Sequence, residues 1–493
     1  MKILMVYPKY PDTFWSFKHA LKFVSLKAAN PPLGLLTIAS CLPKEWEINL
    51  IDMNVSTLKE KHIKWADYVF ISAMSIQKKS AINVIGECLK HNKKVVAGGP
   101  LFTSSHDEFK NVDHFVLNEA EITLPLFLED LNNNCEKQMY STNEFPSIKN
   151  IPPPRYDLLD QKKYSSMCIQ YSRGCPFNCD FCDITVLYGR KVRTKTSQQI
   201  INELQNLYDQ KWRGNIFIVD DNFIGNKSEL KQDVLPNLIN WMEENKYPFT
   251  FSTEVSINLS DDEELMKMMA LAGFESVFVG IETPDENSLN ECNKNQNKNR
   301  NMVECVNKIQ GYGLQVTGGF IIGFDNDLPS IFKRQIDFIQ KSGIISAMVG
   351  LLNAPRNTKL YNRMVKENRL LRNISGDNTD FSMNFIPKMN YDILQKGYKE
   401  IISGIYSCKP YYERVMKSLK ILKPSPVNSK PFHISYLIAF IRSIWHIGIL
   451  ESGRLYYWKL LFWCLFTRPT KFPLAVTYSI YGYHFRKVFA KYL

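Results

Sequence analysis

The chain has 493 residues, 45% of them hydrophobic and 22% charged, which is enough apolar material for at least two cores and excludes a disordered protein. Its eleven cysteines follow no signal-like opening segment, so reduced thiols in a cytoplasmic protein are expected rather than a disulfide framework. The net charge of +12 lies entirely from Lys409 onward, where fourteen basic residues face two acidic ones; a basic nucleic-acid interface on the body of the chain is excluded.

In chain order, short apolar runs at 2–7, 48–52, 68–72, 94–97 and 114–117 alternate with amphipathic stretches such as 33–42 and 75–89. This α/β alternation predicts a parallel sheet with helices on both faces, and five such strands predict a flavodoxin-like, Rossmann-type domain over 1–131. Residues 132–160, with three consecutive asparagines and Pro152-Pro153-Pro154, read as a linker. Strand-like runs at 166–171, 215–219, 249–253, 276–279, 315–322 and 347–351 then predict a partial (β/α)6 barrel over 161–370, with reactive groups on the loops after its strands. A helical extension is expected over 371–423. The tail, 424–493, is aromatic, aliphatic and basic; charges such as Arg442 and Lys459 interrupt it too often for a spanning helix, and a helix lying in a membrane interface fits better.

After the first barrel strand, Tyr171-Ser-Arg-Gly-Cys175-Pro-Phe-Asn-Cys179-Asp-Phe-Cys182 sets three cysteines in a C-x3-C-x2-C loop. Eleven cysteines in a chain of this length would produce that spacing by chance roughly once in two hundred times. Three thiolates on one tight loop can hold three irons of a cubane cluster and leave the fourth open for chemistry. Zinc and a purely electron-transferring cluster are the competing readings, although structural zinc takes four ligands and the next cysteine or histidine downstream is Cys292.

The loop resembles the signature of the radical S-adenosylmethionine superfamily. That resemblance implies a [4Fe–4S] cluster on Cys175, Cys179 and Cys182, with S-adenosylmethionine bound at the open iron and split to a 5′-deoxyadenosyl radical. It implies an adenine contact at Phe181. It also implies contacts to the methionine amine from Asp220, Asp221 and Asn222, which stand in place of the commoner Gly-Gly-Glu. Glu254, Gly280 and Glu282 would meet the ribose, and Gly318, Gly319 and Gly323 the adenine. Without the resemblance, the same carboxylates could equally cap helices and the glycines relieve packing.

A flavodoxin-like domain ahead of such a barrel resembles the cobalamin-binding branch of the superfamily. The resemblance places the corrin and its nucleotide tail on the switch-point loops that carry Asp52 and Asn54, Ser72 and Ser75, Gly98 and Gly99, and Asn118 and Glu119. Where cobalamin mutases read Asp-x-His-x-x-Gly, this chain reads Asp52-Met-Asn54-Val-Ser-Thr57, with no histidine for the lower face of cobalt. The pattern fits a corrin bound without a protein imidazole, and it also fits a domain that has lost cobalamin.

Residues 1–423, including Pro11–Ala20, Arg173–Cys179 and Gln335–Gly343, resemble the group that contains the hopanoid C-2 and C-3 methylases. This implies methylation of an unactivated carbon in a polycyclic or isoprenoid lipid, or another apolar small molecule, with an external one-electron donor such as flavodoxin or ferredoxin. Two other readings stay open: oxidative cyclisation or carbon–carbon coupling on a lipid or tetrapyrrole, and a non-catalytic sensor holding cluster and corrin. For the tail, peripheral contact with an anionic membrane, RNA binding and a helical cap on the barrel are all open; Trp445, Trp458 and Trp463 favour the membrane.

Overall fold

A computed structural model of the protein describes residues 1–371, 374–427, 434–490 and 492. The first sheet contains β1 (Lys2–Tyr7), β2 (Glu47–Asp52), β3 (Tyr68–Ser72), β4 (Lys94–Gly98), β5 (His114–Val116) and β6 (Met139–Tyr140), in the order β2-β1-β3-β4-β5-β6 with every pair parallel. Runs such as Tyr68-Val-Phe-Ile71 are apolar without alternation because helices cover both faces. Val69 and Ile71 pack with Val84 and Phe102 on one side, and Phe70 with Leu124 and Phe127 on the other. The flavodoxin-like expectation is met, with one correction. Part of the stretch read as a linker, Met139–Tyr140, adds the sixth strand, where the Phe115 amide donates to the Gln138 carbonyl (2.7 Å) and the Leu117 amide to that of Tyr140 (2.9 Å).

The second sheet holds β7 (Ser166–Ile169), β10 (Gly214–Ile218), β11 (Phe249–Val255), β12 (Phe274–Glu282), β13 (Gln315–Ile322) and β14 (Ala347–Leu351) as six parallel strands in sequential order, an open half-barrel. Between β7 and β10 a short antiparallel ribbon pairs β8 (Ser172–Arg173) with β9 (Arg193–Thr194). The two-residue period of the strands sorts the side chains. Val277, Val279 and Ile281 are buried in the outer core under the helices, while Phe278, Gly280 and Glu282 face the concave side. By the same alternation Phe217, Glu254, Ile321 and Met348 turn inward together with Asn215, Ser252, Ser276 and Thr317, so the concave face mixes apolar and small polar side chains below its rim of carboxylates.

The C-terminal helices Tyr391–Tyr406, Cys408–Ile421, Ile434–Ser443, Arg454–Thr467 and Phe472–Phe489 join the barrel rather than trailing from it. Tyr457, Tyr478, Phe485 and Phe489 are fully buried in the same core as the barrel strands. Full burial of an apolar side chain contributes about 1.5–3 kcal/mol, so this region is a packed cap. Its anchor is the loop after β1: Phe485 stacks on Phe14 at 4.3 Å, His484 Nε2 donates to the Phe14 carbonyl (3.0 Å), and Arg442 donates to the carbonyls of Lys22 and Phe23. Among the described residues no helix is long and apolar enough to cross a membrane. Lys430 and Lys491, counted in the basic tail, lie outside the described residues.

Candidate active site

The β8–β9 ribbon closes the base of the loop that carries Cys175, Cys179 and Cys182. Asp220, just beyond the end of β10, pins the entry strand: its carboxylate accepts from the Tyr171 and Ser172 amides (2.8 Å each) and from the Ser172 hydroxyl (2.6 Å). Gly174 sits at φ +90°, where a Cβ would come within 2.8 Å of the Lys191 carbonyl, so only glycine lets the chain turn into the loop there. Farther round, the Asp180 amide donates to the Cys292 carbonyl (3.0 Å) and Asn293 Nδ2 to the Asp180 carboxylate (2.8 Å). Gln296 Nε2 lies 3.8 Å from Cys179 Sγ. The stretch 292–296 therefore clasps the cysteine loop from the side opposite the ribbon.

The acidic residues divide by what they already hold. All of Asp220 is committed to the loop, and Asn222 Oδ1 accepts from the Ser256 amide (3.1 Å) and hydroxyl (3.2 Å). These two act as positioning groups, and the carboxylate left over is that of Asp221, whose Oδ2 is buried without a partner. Burial, then the neighbouring Asp220 charge, pushes the Asp221 carboxyl up to about 7. Burial, then Asp221 and Asp220, pushes Glu254 up to about 8. Glu282 adopts φ +62°, a strained conformation for a glutamate, and its Oε1 is held 2.6 Å from Lys294 Nζ. Gly280 lies under this ion pair, Gly319 backs the inward ring of Phe278, and Gly318 instead packs outward against Phe320 and Ile344. Gly323, at φ +99°, follows β13, with its amide donating to Asp327 (2.8 Å); Phe181 meets Phe324 edge-on at 6.3 Å.

On the first sheet, Asp52, Asn54, Ser72, Ser75, Gly98, Gly99, Asn118 and Glu119 all lie at or beyond the C-terminal ends of strands, the edge turned toward the barrel. Asp52 is buried and already engaged by the Asn54 amide (2.8 Å), by Asn54 Nδ2 (2.7 Å) and by the Tyr164 hydroxyl of the barrel half (2.9 Å). Gly99 lies against the Ser72 hydroxyl, Ser75 opens the turn before helix Lys78–Lys90, and the Asn118 side chain accepts from the Thr142 amide (3.3 Å). Glu119 is buried and doubly paired, to Arg173 (2.7 Å) and Arg193 (2.6 Å), while Arg173 also holds Glu121 (2.8 Å). It therefore stitches the first sheet to the base of the cysteine loop.

Residues 23–128 match the B12 binding domain family, 169–350 the Radical SAM superfamily, and 358–493 a domain of unknown function (DUF4070). An uncharacterized methyltransferase of Synechocystis sp. is 41% identical over 98% of this chain and 91% of its own length. The hopanoid C-2 methylase of Rhodopseudomonas palustris is 32% identical over 93% of this chain and 88% of its own. The chain belongs to the cobalamin-dependent radical S-adenosylmethionine methyltransferases. The fold agrees: the cobalamin-dependent S-adenosylmethionine radical enzyme OxsB, at 16% identity, superposes with a TM-score of 0.62 over 99% of this chain and 84% of that one.

The cofactors of this methyltransferase are accordingly a [4Fe–4S] cluster, S-adenosylmethionine and cobalamin, and its residues fit them. The three cysteines are free thiols on one loop. Among the described residues no three His, Cys, Asp or Glu side chains converge as a single metal ion requires. A cubane, which spreads its thiolates over three irons, has no such need. Sequence reading missed two groups. Lys294 draws down the thiols of Cys175 and Cys182, which burial pushes up. Trp15, on the loop after β1, meets the inward ring of Phe278 edge-on at 5.5 Å, so an aromatic from the cobalamin half reaches the barrel's concave face. Neither belongs to a spacing motif, so only the fold reveals them.

Proposed function

We propose that this methyltransferase methylates an unactivated carbon of a polycyclic or isoprenoid lipid of the hopanoid class. The observation that carries the reading is the set of apolar side chains on the concave face, Phe217, Phe278, Ile321 and Met348, with Trp15 set edge-on against Phe278. Its full-length similarity to a hopanoid C-2 methylase supports the substrate class.

When bound, the cluster with S-adenosylmethionine supplies a radical able to open a C–H bond, and cobalamin supplies the methyl group. Cys175, Cys179 and Cys182 hold the cluster; Asp221 accepts from the methionine amine of S-adenosylmethionine, and Glu254, expected at the ribose, is reassigned to that same end because its carboxyl lies near Asp221. Glu282 and Gly280 border the ribose, and Phe181, Gly319 and Gly323 the adenine. Asp220, Asn222 and Gly318 position their neighbours. The first-sheet rim from Asp52 and Asn54 to Ser72, Ser75, Gly98, Gly99 and Asn118 receives the corrin, and Glu119 fixes that rim against the barrel. The aromatic lining excludes water from the reacting carbon and orients a rigid hydrocarbon by shape. Reducing electrons come from an external donor of the flavodoxin or ferredoxin type.

Anaerobic reconstitution with iron, sulfide and cobalamin, followed by S-adenosylmethionine, reductant and a hopanoid-containing lipid extract, tests this reading by mass. A hopanoid heavier by one methylene is expected. A product lighter by two hydrogens, or a coupled dimer, would overturn it in favour of cyclisation or coupling. Cys179→Ala should lose the cluster's visible absorption and release no 5′-deoxyadenosine.

A further inference from the structure

Helix Ile434–Ser443, its π-helical continuation Ile444–Ile449, and helix Arg454–Thr467 each bury one face and expose another rich in large apolar side chains, joined on the last helix by Arg454 and Lys459. On the first, Ala439, Ser443 and Ile447 are buried, while Ile441 and Trp445, at helical spacing, are 58% and 56% exposed. On the second, Tyr457, Leu460, Leu461 and Cys464 are buried, while Leu455, Phe462 and Phe466 form a stripe that is 77%, 55% and 81% exposed. Both helices pack on Phe472–Phe489 through their buried sides, so the two stripes look outward from the same support. Scattered apolar residues on a surface are ordinary, but paired stripes along neighbouring helices are not.

The charges around the stripes indicate what covers them. Arg454, Lys459 and Arg468 are exposed on or beside the second helix, Lys459 lying between Leu455 and Phe462 in the stripe itself. Glu451, the acidic residue of this region, is drawn into a bidentate pair with Arg486 (2.8 and 2.9 Å). A second copy of the same face would bring like charges together, whereas an anionic bilayer offers hydrocarbon to the stripes and headgroup charge to the cations.

We infer that this face docks on an anionic lipid bilayer, its aromatic and aliphatic stripes entering the interface and its Arg and Lys residues meeting acidic headgroups. The site deepens the proposed action on a lipid without depending on which lipid is methylated. Helix Ile434–Ser443 and the supporting helix Phe472–Phe489 are anchored to residues 14–23, and Trp15 of that segment reaches the barrel's concave face, so the docked face is joined through one short segment to the proposed reaction space.

Flotation of the full-length reconstituted protein with vesicles free of hopanoids separates this inference from the substrate reading. Binding to phosphatidylcholine vesicles containing phosphatidylglycerol should exceed binding to phosphatidylcholine alone by about tenfold and weaken with salt. Leu455→Ser with Phe466→Ser should reduce it by about tenfold or more, with unchanged thermal unfolding because both side chains already face solvent. Arg454→Ser with Lys459→Ser should abolish the preference for anionic vesicles while keeping the protein folded. No vesicle binding by the wild type, or equal binding to neutral and anionic vesicles, would overturn the inference. So would a solution dimer dissolved by the Leu455/Phe466 variant.

Discussion

The base and the rim of the cysteine loop treat charge in opposite ways. At the base, Arg173, Arg193, Glu119 and Glu121 are mutually paired, and every oxygen of Asp220 meets a donor from the loop. At the rim, a few residues away, Asp221 keeps a buried oxygen unpartnered, and Glu254 sits with it at a carboxyl pKa near 8. Buried charges that are paired hold structure; buried carboxylates without a cation cost free energy until one arrives. The contrast separates carboxylates already committed to the fold from carboxylates the fold leaves without a cation.

Removing a base charge should cause the largest change. Glu119→Ala leaves Arg173 and Arg193 without their shared partner at a site where the glutamate is 2% exposed, and should cost about 3–5 kcal/mol in denaturant unfolding. A loss below about 1 kcal/mol would erase the distinction. At the rim, Asp221→Asn should leave unfolding unchanged or slightly raise its midpoint, yet weaken S-adenosylmethionine binding about tenfold, as expected for loss of a charge-assisted hydrogen bond. Isothermal titration of the reconstituted protein distinguishes the two effects.

A pH series sharpens the same comparison. Asp221 and Glu254 are raised to about 7 and 8, above the ordinary carboxylate range, so their contribution to stability is fully present at low pH and is lost as pH rises through those values. A bound cation lowers both, so binding should release protons near neutrality, and affinity should climb between pH 6 and 8 before levelling. Asp221→Asn should flatten that rise. Lys294→Met should have the smallest effect on S-adenosylmethionine affinity, roughly threefold, because its charge is already offset by Glu282 at 2.6 Å, although it leaves that buried carboxylate without its cation and should lower the unfolding midpoint as well. A shift in the reduction potential of its cluster, read by spectroscopic titration, would show that the ammonium acts on the thiolates as well.

Much of this arrangement was legible in the sequence. Fully buried parallel strands are written as unbroken apolar runs, as in Tyr68-Val-Phe-Ile71, and three cysteines on one loop declare themselves by spacing. What escaped were interactions with no local signature. Strands β6, β8 and β9 have two residues each, too few for a periodicity. Glu119 reads in the sequence as part of a corrin-receiving loop, and its structural role is hidden because its partners Arg173 and Arg193 lie 54 and 74 residues away. Lys294 sits among asparagines and lysines where nothing distinguishes it from solvated neighbours. The tail's interruption by charges pointed to an interfacial helix, but only packing shows that Tyr457 and Phe485 face inward while Leu455 and Phe466 do not.

Arg173 stands two residues before the first cysteine and is ion-paired across the seam to Glu119 and Glu121 of the other half. One guanidinium thus ties the backbone just ahead of the cysteine loop to the rim of the first sheet, so the two halves are fixed to one another at the entry to that loop.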